Sequence, residues 1–308
     1  MKKNIDVLVP VFNEGQSIEV FWESRLRPIL NSLKNRYNFT VIFLNNASTD
    51  NTLHKLESMK VSSTMVEFVT YTRNIGYQNS LLGGLEFCNG DGVVIIDSDG
   101  EDPPALISEF LANFEEGFHI VYGDRRNRTE VFWMKKLRQL FYSIMKLAAD
   151  VEVVKDMAEF SFISKACRKY VLLASRKNSF PFIRAEMARS GLSRKGIPYT
   201  RENRIGGRSK YNLLSSFMFA VAAFLTTSTL PLRVLGILGP ILFAGGLIGF
   251  VLGLIQIVAA VFISYLVLLG AFISLYLARV YVNQLDRPKF VVDARRSTMT
   301  LIGFEYDL

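Results

Sequence analysis

Hydrophobic positions along the chain follow two regimes. Over roughly the first 125 residues, short apolar runs end on polar residues and alternate with stretches of helical spacing. The runs IDVLVPV (5–11), FTVIFLNN (39–46), VEFVTYT (66–72), GVVIIDSD (92–99) and FHIVYGDR (118–125) read as strands. Residues 17–37, a short stretch from Thr49, and residues 77–88 read as helices between them. Continuously apolar strands separated by helices predict a mainly parallel α/β sheet covered on both faces.

The second regime is a block, residues 234–278, that carries no charged side chain. It is about twice the ~20 residues a helix needs to cross a bilayer. The spacing of its glycines and of Pro240 predicts two helices, 232–254 and 258–281, joined by a short turn. The alternative, a buried helical hairpin in a soluble core, is opposed by the bases that flank it: Arg233 before, Arg279, Arg287 and Lys289 after. Cationic flanks place both ends on the cytoplasmic face. The expected organisation is a cytoplasmic catalytic domain (1–210), a juxtamembrane amphipathic helix (211–231), two transmembrane helices (232–281) and a cytoplasmic tail (282–308). Residues 132–149 and 211–225 mix aromatics and bases at helical spacing, which suits either a core helix or one lying in the membrane surface. The tail RPKFVVDARR is open between an edge strand and a membrane-surface segment.

Composition adds little to the class. The net charge is +8, and the two cysteines, Cys88 and Cys167, show neither metal-ligand spacing nor a disulfide framework. The start, MKKNIDVLVPV, is too short in apolar length for a secretory signal.

Polar residues gather at the carboxyl ends of the expected strands: Asn13-Glu14, Asn45-Asn46, Arg73-Asn74 and Asp97–Asp99. In parallel α/β sheets this edge is where ligands bind. Asp97 and Asp99 alternate along a strand end, so both can face one side. Two carboxylates suit a hard cation, Mg²⁺ or Mn²⁺, whose remaining ligands come from phosphate and water. The competing reading has them capping the next turn, with Asp102 and Pro103 opening a helix.

Taken in order, VPVFNE (9–14), NNASTD (45–50), TRNIGYQNSLLGGL (72–85) and DSDGEDPP (97–104) resemble the successive motifs of family 2 glycosyltransferases of GT-A fold. RENRIGGRSKYNLL (201–214), two membrane helices and RPKF (287–290) make the chain similar to the polyisoprenyl-phosphate branch, which includes dolichol-phosphate mannose synthases and bactoprenol glucosyltransferases. That resemblance implies an inverting, metal-dependent transferase of the bacterial inner membrane. It would move a sugar from a nucleotide diphosphate to a polyprenyl phosphate, with UDP-glucose and undecaprenyl phosphate as the default pair. Donor contacts would come from Pro10, Asn13, Glu14, Asn46, Asp50, Arg73, Asp97 and Ser98. Asp97, Asp99 and Glu159 would be catalytic, with Asp99 and Asp97 holding the metal. The acceptor phosphate needs cations, and Arg125, Arg201, Arg204, Arg208, Ser209 and Lys210 offer them. A nonspecific basic patch for anionic lipid is the other reading of that loop. A homo-oligomer, tetrameric by resemblance, a flippase and a downstream transferase are implied partners; nucleic acid is not.

The chain departs from the family pattern in informative places. Asn45-Asn46-Ala47-Ser48 stands where Asp-Asp-Gly-Ser is usual, and Asp99-Gly100-Glu101-Asp102 where Asp-Leu-Gln-Asp is usual. Tyr77 stands where lysine is common. Ala158-Glu159-Phe160-Ser161-Phe162 replaces Gly-Asp-Phe-Arg-Leu, so the arginine is missing and Glu159 or Asp156 takes the third acidic place. Two further readings stay open: a transferase acting on a lipid-linked glycan, and a non-catalytic membrane sensor of nucleotide sugars. Asp102 is expected to be a helix-start residue that shapes the loop.

Overall fold

A computed structural model describes residues 1–125, 157–176, 178, 181–206, 228–285 and 287–299. By its contacts the chain forms two compact units: one of residues 1–132, 154–212 and 287–308, the other of residues 133–153 and 213–286.

The first unit is built on a seven-stranded sheet in the order β3-β2-β1-β4-β6-β5-β7. The strands are β1 (Lys3–Val11), β2 (Tyr37–Asn45), β3 (Val66–Thr70), β4 (Gly92–Ile95), β5 (Ile120–Arg125), β6 (Met157–Ser164) and β7 (Arg194–Tyr199). β1 to β4 pair in parallel, β5 and β7 run parallel to each other, and β6 is antiparallel to both β4 and β5. Helices cover both faces. They are α1 (Ile18–Val20), continued through a π-helical stretch (Phe21–Leu26) into α2 (Arg27–Leu33), then α3 (Thr52–Ser62), α4 (Tyr77–Phe87), α5 (Leu106–Glu115), α6 (Lys165–Ser175) and α7 (Ile183–Arg189).

The unbroken apolar strands follow from this double cover. Val7 and Val9 of β1 pack with Phe21, Trp22, Leu30 and Phe110 on one face. Leu8 between them packs with Leu81, Leu85 and Val171 on the other. Successive residues from Val7 to Val9 face one core and then the other, so this stretch is apolar at both alternate positions.

The five strands and the first helices expected from the pattern are present, shorter at some ends. β6 and β7 were not expected. β6 carries Glu159 and Ser161 inside an apolar run and inserts between β4 and β5, which breaks the parallel order. β7, RKGIPY, is poor in apolar residues because it is an edge strand, where Pro198 is tolerated. The opposite edge, β3, is covered by the tail. Thr72 N–H donates to Val291 O (3.0 Å), Asp293 N–H to Thr70 O (2.8 Å) and Thr298 N–H to Phe68 O (2.9 Å). Tyr71 and Val292 form an antiparallel bridge, and Phe290 and Val292 are buried. These residues of the tail pair with the sheet.

In the second unit, α8 (Leu230–Val251) has 22 residues and α9 (Ile255–Gln284) has 30. An 18-residue window in each has a mean hydropathy of 2.3 and 2.5, and almost none of that apolar surface is buried within the chain. At 1.5 Å per residue, each is long enough for a hydrocarbon core of about 30 Å. The turn lies three residues earlier than expected because Gly253 supplies its positive φ (73°). Leu254 N–H then reaches back to Gly249 O (2.9 Å), closing α8. Small residues let the two helices approach: a side chain at Gly249 would meet Val258 and one at Gly239 would meet the Tyr265 hydroxyl. Near Pro240, which removes a helical donor, Tyr265 donates to Leu235 O (3.0 Å).

Candidate active site

The four parallel strands β1 to β4 end on one edge of the sheet, and their following loops are cross-bonded there. At the end of β1, Asn13 adopts a left-handed φ of 54°. Its N–H donates to Ser48 Oγ (3.0 Å), and its Oδ1 accepts from Thr49 N–H (2.8 Å). Glu14 N–H donates to Thr52 Oγ1 (3.0 Å) and Gly15 N–H to Asp50 Oδ2 (3.0 Å). A Cβ at Gly15 would meet the Asn51 side chain, which would have to move aside. Asp50 also accepts from the Thr52 hydroxyl and N–H. Burial would raise its carboxyl, but the Thr52 and Gly15 donors outweigh that and hold it below the usual value.

Asn46 is committed at both ends of its amide. Nδ2 donates to Asn74 Oδ1 (3.0 Å), and Oδ1 accepts from Ile75 N–H (2.9 Å). It joins the end of β2 to the turn after β3, a task that a charged aspartate, an acceptor only, would not perform toward Asn74 Oδ1. Arg73 is exposed in that turn. Pro10 O accepts from Ser98 Oγ (3.4 Å), which ties β1 to the acidic loop.

The acidic loop follows β4. Tyr77, the first residue of α4, donates its hydroxyl to Asp97 Oδ1 (2.7 Å); among the described residues Oδ2 has no donor. Burial, then the nearby carboxylates of Asp102 and Asp99, push Asp97 up to about 7. Asp99 accepts from Glu101 N–H at Oδ1 (3.0 Å) and from Arg204 at Oδ2 (2.8 Å). Its carboxyl is also raised, by burial first. Gly100 has a φ of 76°, and Ile205 lies where its side chain would be.

Residues 201–205 fold directly over this loop. Glu202 N–H donates to Glu101 O (2.8 Å) and Ile205 N–H to Asp99 O (3.0 Å). Arg201 pairs with Glu101 and stands 3.4 Å from Asp102, and Arg204 Nε donates to Glu101 Oε1 (3.2 Å). Glu14 lies within electrostatic reach of Arg204. Two of the cations assigned to the acceptor phosphate thus sit against the acidic loop. Arg208, Ser209 and Lys210 lie outside the described residues, as do Asp156 and the stretches 132–149 and 211–225.

Asp102 corrects one expectation. It does not open the next helix; α5 starts at Leu106, after Ala105. Its side chain is fully buried instead, accepting from the Tyr199 hydroxyl and facing Arg125 at 3.5 Å. Arg125 Nε donates to Tyr199 Oη (2.9 Å). Asp102, Arg125 and Tyr199 therefore pin β5 and β7 to the acidic loop, and Arg125 spends its charge within the protein.

Glu159 projects from β6. The β4–β6 register, Ile95 opposite Ser161, places it across from Asp97, whose carboxyl it helps to raise. Gln78 Nε2 donates to Glu159 Oε1 (3.0 Å), and Arg184 Nε stands 2.9 Å from the same oxygen. Arg184 of α7 thus brings a guanidinium to Glu159. Neither Gln78 nor Arg184 was singled out from the sequence. Gln78 sits inside a recognised motif without a polar pattern of its own, and Arg184 is far from every motif in sequence.

Asp97, whose carboxyl Asp99 helps to raise, and Asp99 itself are the two carboxylates that could hold a hard divalent cation. Among the described residues no group of three or more metal-ligating side chains exists, so the substrate would complete the coordination.

Residues 6–172, just over half of the chain, match the model for glycosyl transferase family 2. The chain belongs to this family. A bactoprenol glucosyl transferase of Shigella phage SfV is 26% identical over 94% of this chain and 97% of its own. A prophage bactoprenol glucosyl transferase homolog of Escherichia coli K12 is 25% identical over 94% and 98%. An uncharacterized glycosyltransferase, YkcC, of Bacillus subtilis is 25% identical over 93% and 92%. Among solved structures, glucosyl-3-phosphoglycerate synthase of Mycobacterium tuberculosis, crystallised with Mn²⁺, UDP-glucose and phosphoglyceric acid, is similar at 20% identity and a TM-score of 0.49, over 73% of this chain and 78% of that one. As a family 2 glycosyltransferase the chain places its family motifs at one edge of a mostly parallel sheet.

Proposed function

We propose that this family 2 glycosyltransferase moves a sugar, glucose by default, from a nucleoside diphosphate to a polyprenyl phosphate at the cytoplasmic face of the bacterial inner membrane. The observation that carries the reading is the apposition of Arg204 with Asp99 and of Arg201 with Glu101 in the acidic loop, on a chain that continues into two helices long enough to cross a bilayer. Similarity to bactoprenol glucosyl transferases along nearly the whole chain supports the lipid acceptor.

In this reading the donor lies across the ends of β1, β2 and β4, with Asn13, Glu14 and Asn46 shaping the nucleoside end. Asp97 and Asp99 would hold Mg²⁺ or Mn²⁺, which, when bound, offsets charge on the departing diphosphate. A phosphate oxygen of the acceptor attacks the anomeric carbon from the face opposite the leaving group, and the configuration inverts. That oxygen is already anionic near neutral pH. The protein therefore needs positioning and cationic guidance more than a strong base. Arg204 is well placed to exchange Asp99 for the acceptor phosphate, and Arg208 and Lys210 would extend the cationic track.

The test is a panel of labelled UDP- and GDP-sugars with Mg²⁺ or Mn²⁺ and undecaprenyl phosphate. One donor is expected to label the lipid. Nucleotide binding with no labelled lipid from any donor would favour a sensor instead. Label passing only to a preformed lipid-linked glycan would favour the other transferase reading.

A further inference from the structure

Glu159 is held in an uneven way. Both of its protein partners meet Oε1: Gln78 Nε2 at 3.0 Å and Arg184 Nε at 2.9 Å. Oε2 is buried and, among the described residues, has no hydrogen-bond partner. A carboxylate oxygen left so is costly, and a site that tolerates it generally gains from a donor that arrives later.

The two partners are themselves fixed. Gln78 Oε1 accepts Ile183 N–H (3.0 Å), so one amide joins α4, β6 and the start of α7. Arg184 donates to Met157 O (2.7 Å) and stacks its guanidinium over Phe182, 5.1 Å from the ring centre. Each side chain thus has an anchor besides Glu159, and Arg184 Nε, buried like Oε2, makes an ion pair with Oε1 without a hydrogen bond. Tyr77, next to Gln78, holds Asp97 in the same manner. The first two residues of α4 therefore orient two acidic side chains that face each other across β4 and β6.

We propose that Gln78 and Arg184 are positioning residues that fix Glu159 through Oε1, so that Oε2 accepts a hydroxyl of the donor sugar. This rests on the transferase reading above, and it adds a contact that discriminates among sugars. A sugar with a hydroxyl at the right carbon satisfies Oε2; one lacking it leaves a buried anion unpaired.

The experiment uses the full-length protein in detergent or nanodiscs, with Mn²⁺ and UDP-glucose or its 2-, 3-, 4- and 6-deoxy analogues, reading both binding and lipid transfer. In the unaltered protein one deoxy analogue is expected to bind about tenfold or more weakly. In Glu159→Ala that analogue and UDP-glucose should bind alike. Arg184→Lys and Gln78→Met should lower kcat by up to about a hundredfold with a smaller change in donor KM. Both should also shrink the penalty for the same analogue. A deoxy penalty that is equal in the unaltered protein and in Glu159→Ala would overturn the contact. Arg184→Lys and Gln78→Met that match the unaltered protein in kcat and deoxy penalty would overturn the positioning role. If no sugar reaches the lipid at all, the transferase reading fails, while the binding comparison still decides the Glu159 contact.

Discussion

Asp99 is the residue on which the most depends, since it has one oxygen on Arg204 and one on the Glu101 N–H. Asp99→Ala should abolish lipid transfer, at least a hundredfold, while the unfolding transition stays close to that of the unaltered protein. Retained transfer would remove the metal role. Gly100 is a second point of dependence: it combines a positive φ with the Ile205 side chain in the space a Cβ would fill. Gly100→Ala should cost about 1–2 kcal/mol, read by chemical unfolding, and should weaken donor binding by lifting residues 201–205. At this scale the sequence was partly legible. Asp97 and Asp99 announced themselves because an apolar strand ended on them. Asp102 did not: an acidic residue before two prolines looks like a helix opening, and only the distant Tyr199 and Arg125 reveal a buried staple. Arg184 had no local signal, since it lies on α7 and its partner Glu159 on β6, distant in sequence.

Among the elements, β1 to β5 were readable because each apolar run ends on a polar cluster. β6 was hidden by its cargo. Its alternation of apolar and polar residues spans only 158–162, and its antiparallel insertion follows from pairing partners distant in sequence. β7 hid for the opposite reason, being an edge too polar to stand out. The tail is the clearest element-level test. Val292 is buried against Tyr71 and the surrounding core. Val292→Asp should destabilise the first unit by about 2–3 kcal/mol, measured as a lower thermal midpoint. It should also promote self-association by freeing the β3 edge, seen by light scattering. An unchanged midpoint would mean that the tail adds no stability there.

Across the whole molecule the division of charge is the organising feature. A chain of net charge +8 concentrates carboxylates at one edge of its sheet and sets arginines against them. The described chain also has two apolar helices long enough to cross a bilayer. Arg208→Ala combined with Lys210→Ala should raise the KM for polyprenyl phosphate much more than that for the donor; equal effects would indicate a structural loop. The broad architecture was legible from hydropathy alone, because membrane length and strand periodicity are set by local composition. How the acidic loop, residues 201–205 and Glu159 meet was not, because it depends on strand order. The most direct measurement is mass analysis of the lipid fraction after incubating the full-length protein with UDP-glucose, Mn²⁺ and undecaprenyl phosphate. The account predicts undecaprenyl phosphate heavier by one hexose, with UDP released in equal amount and neither formed by Asp99→Ala. UDP-glucose that binds but yields no hexosyl lipid, from it or from any other nucleotide sugar, would contradict it.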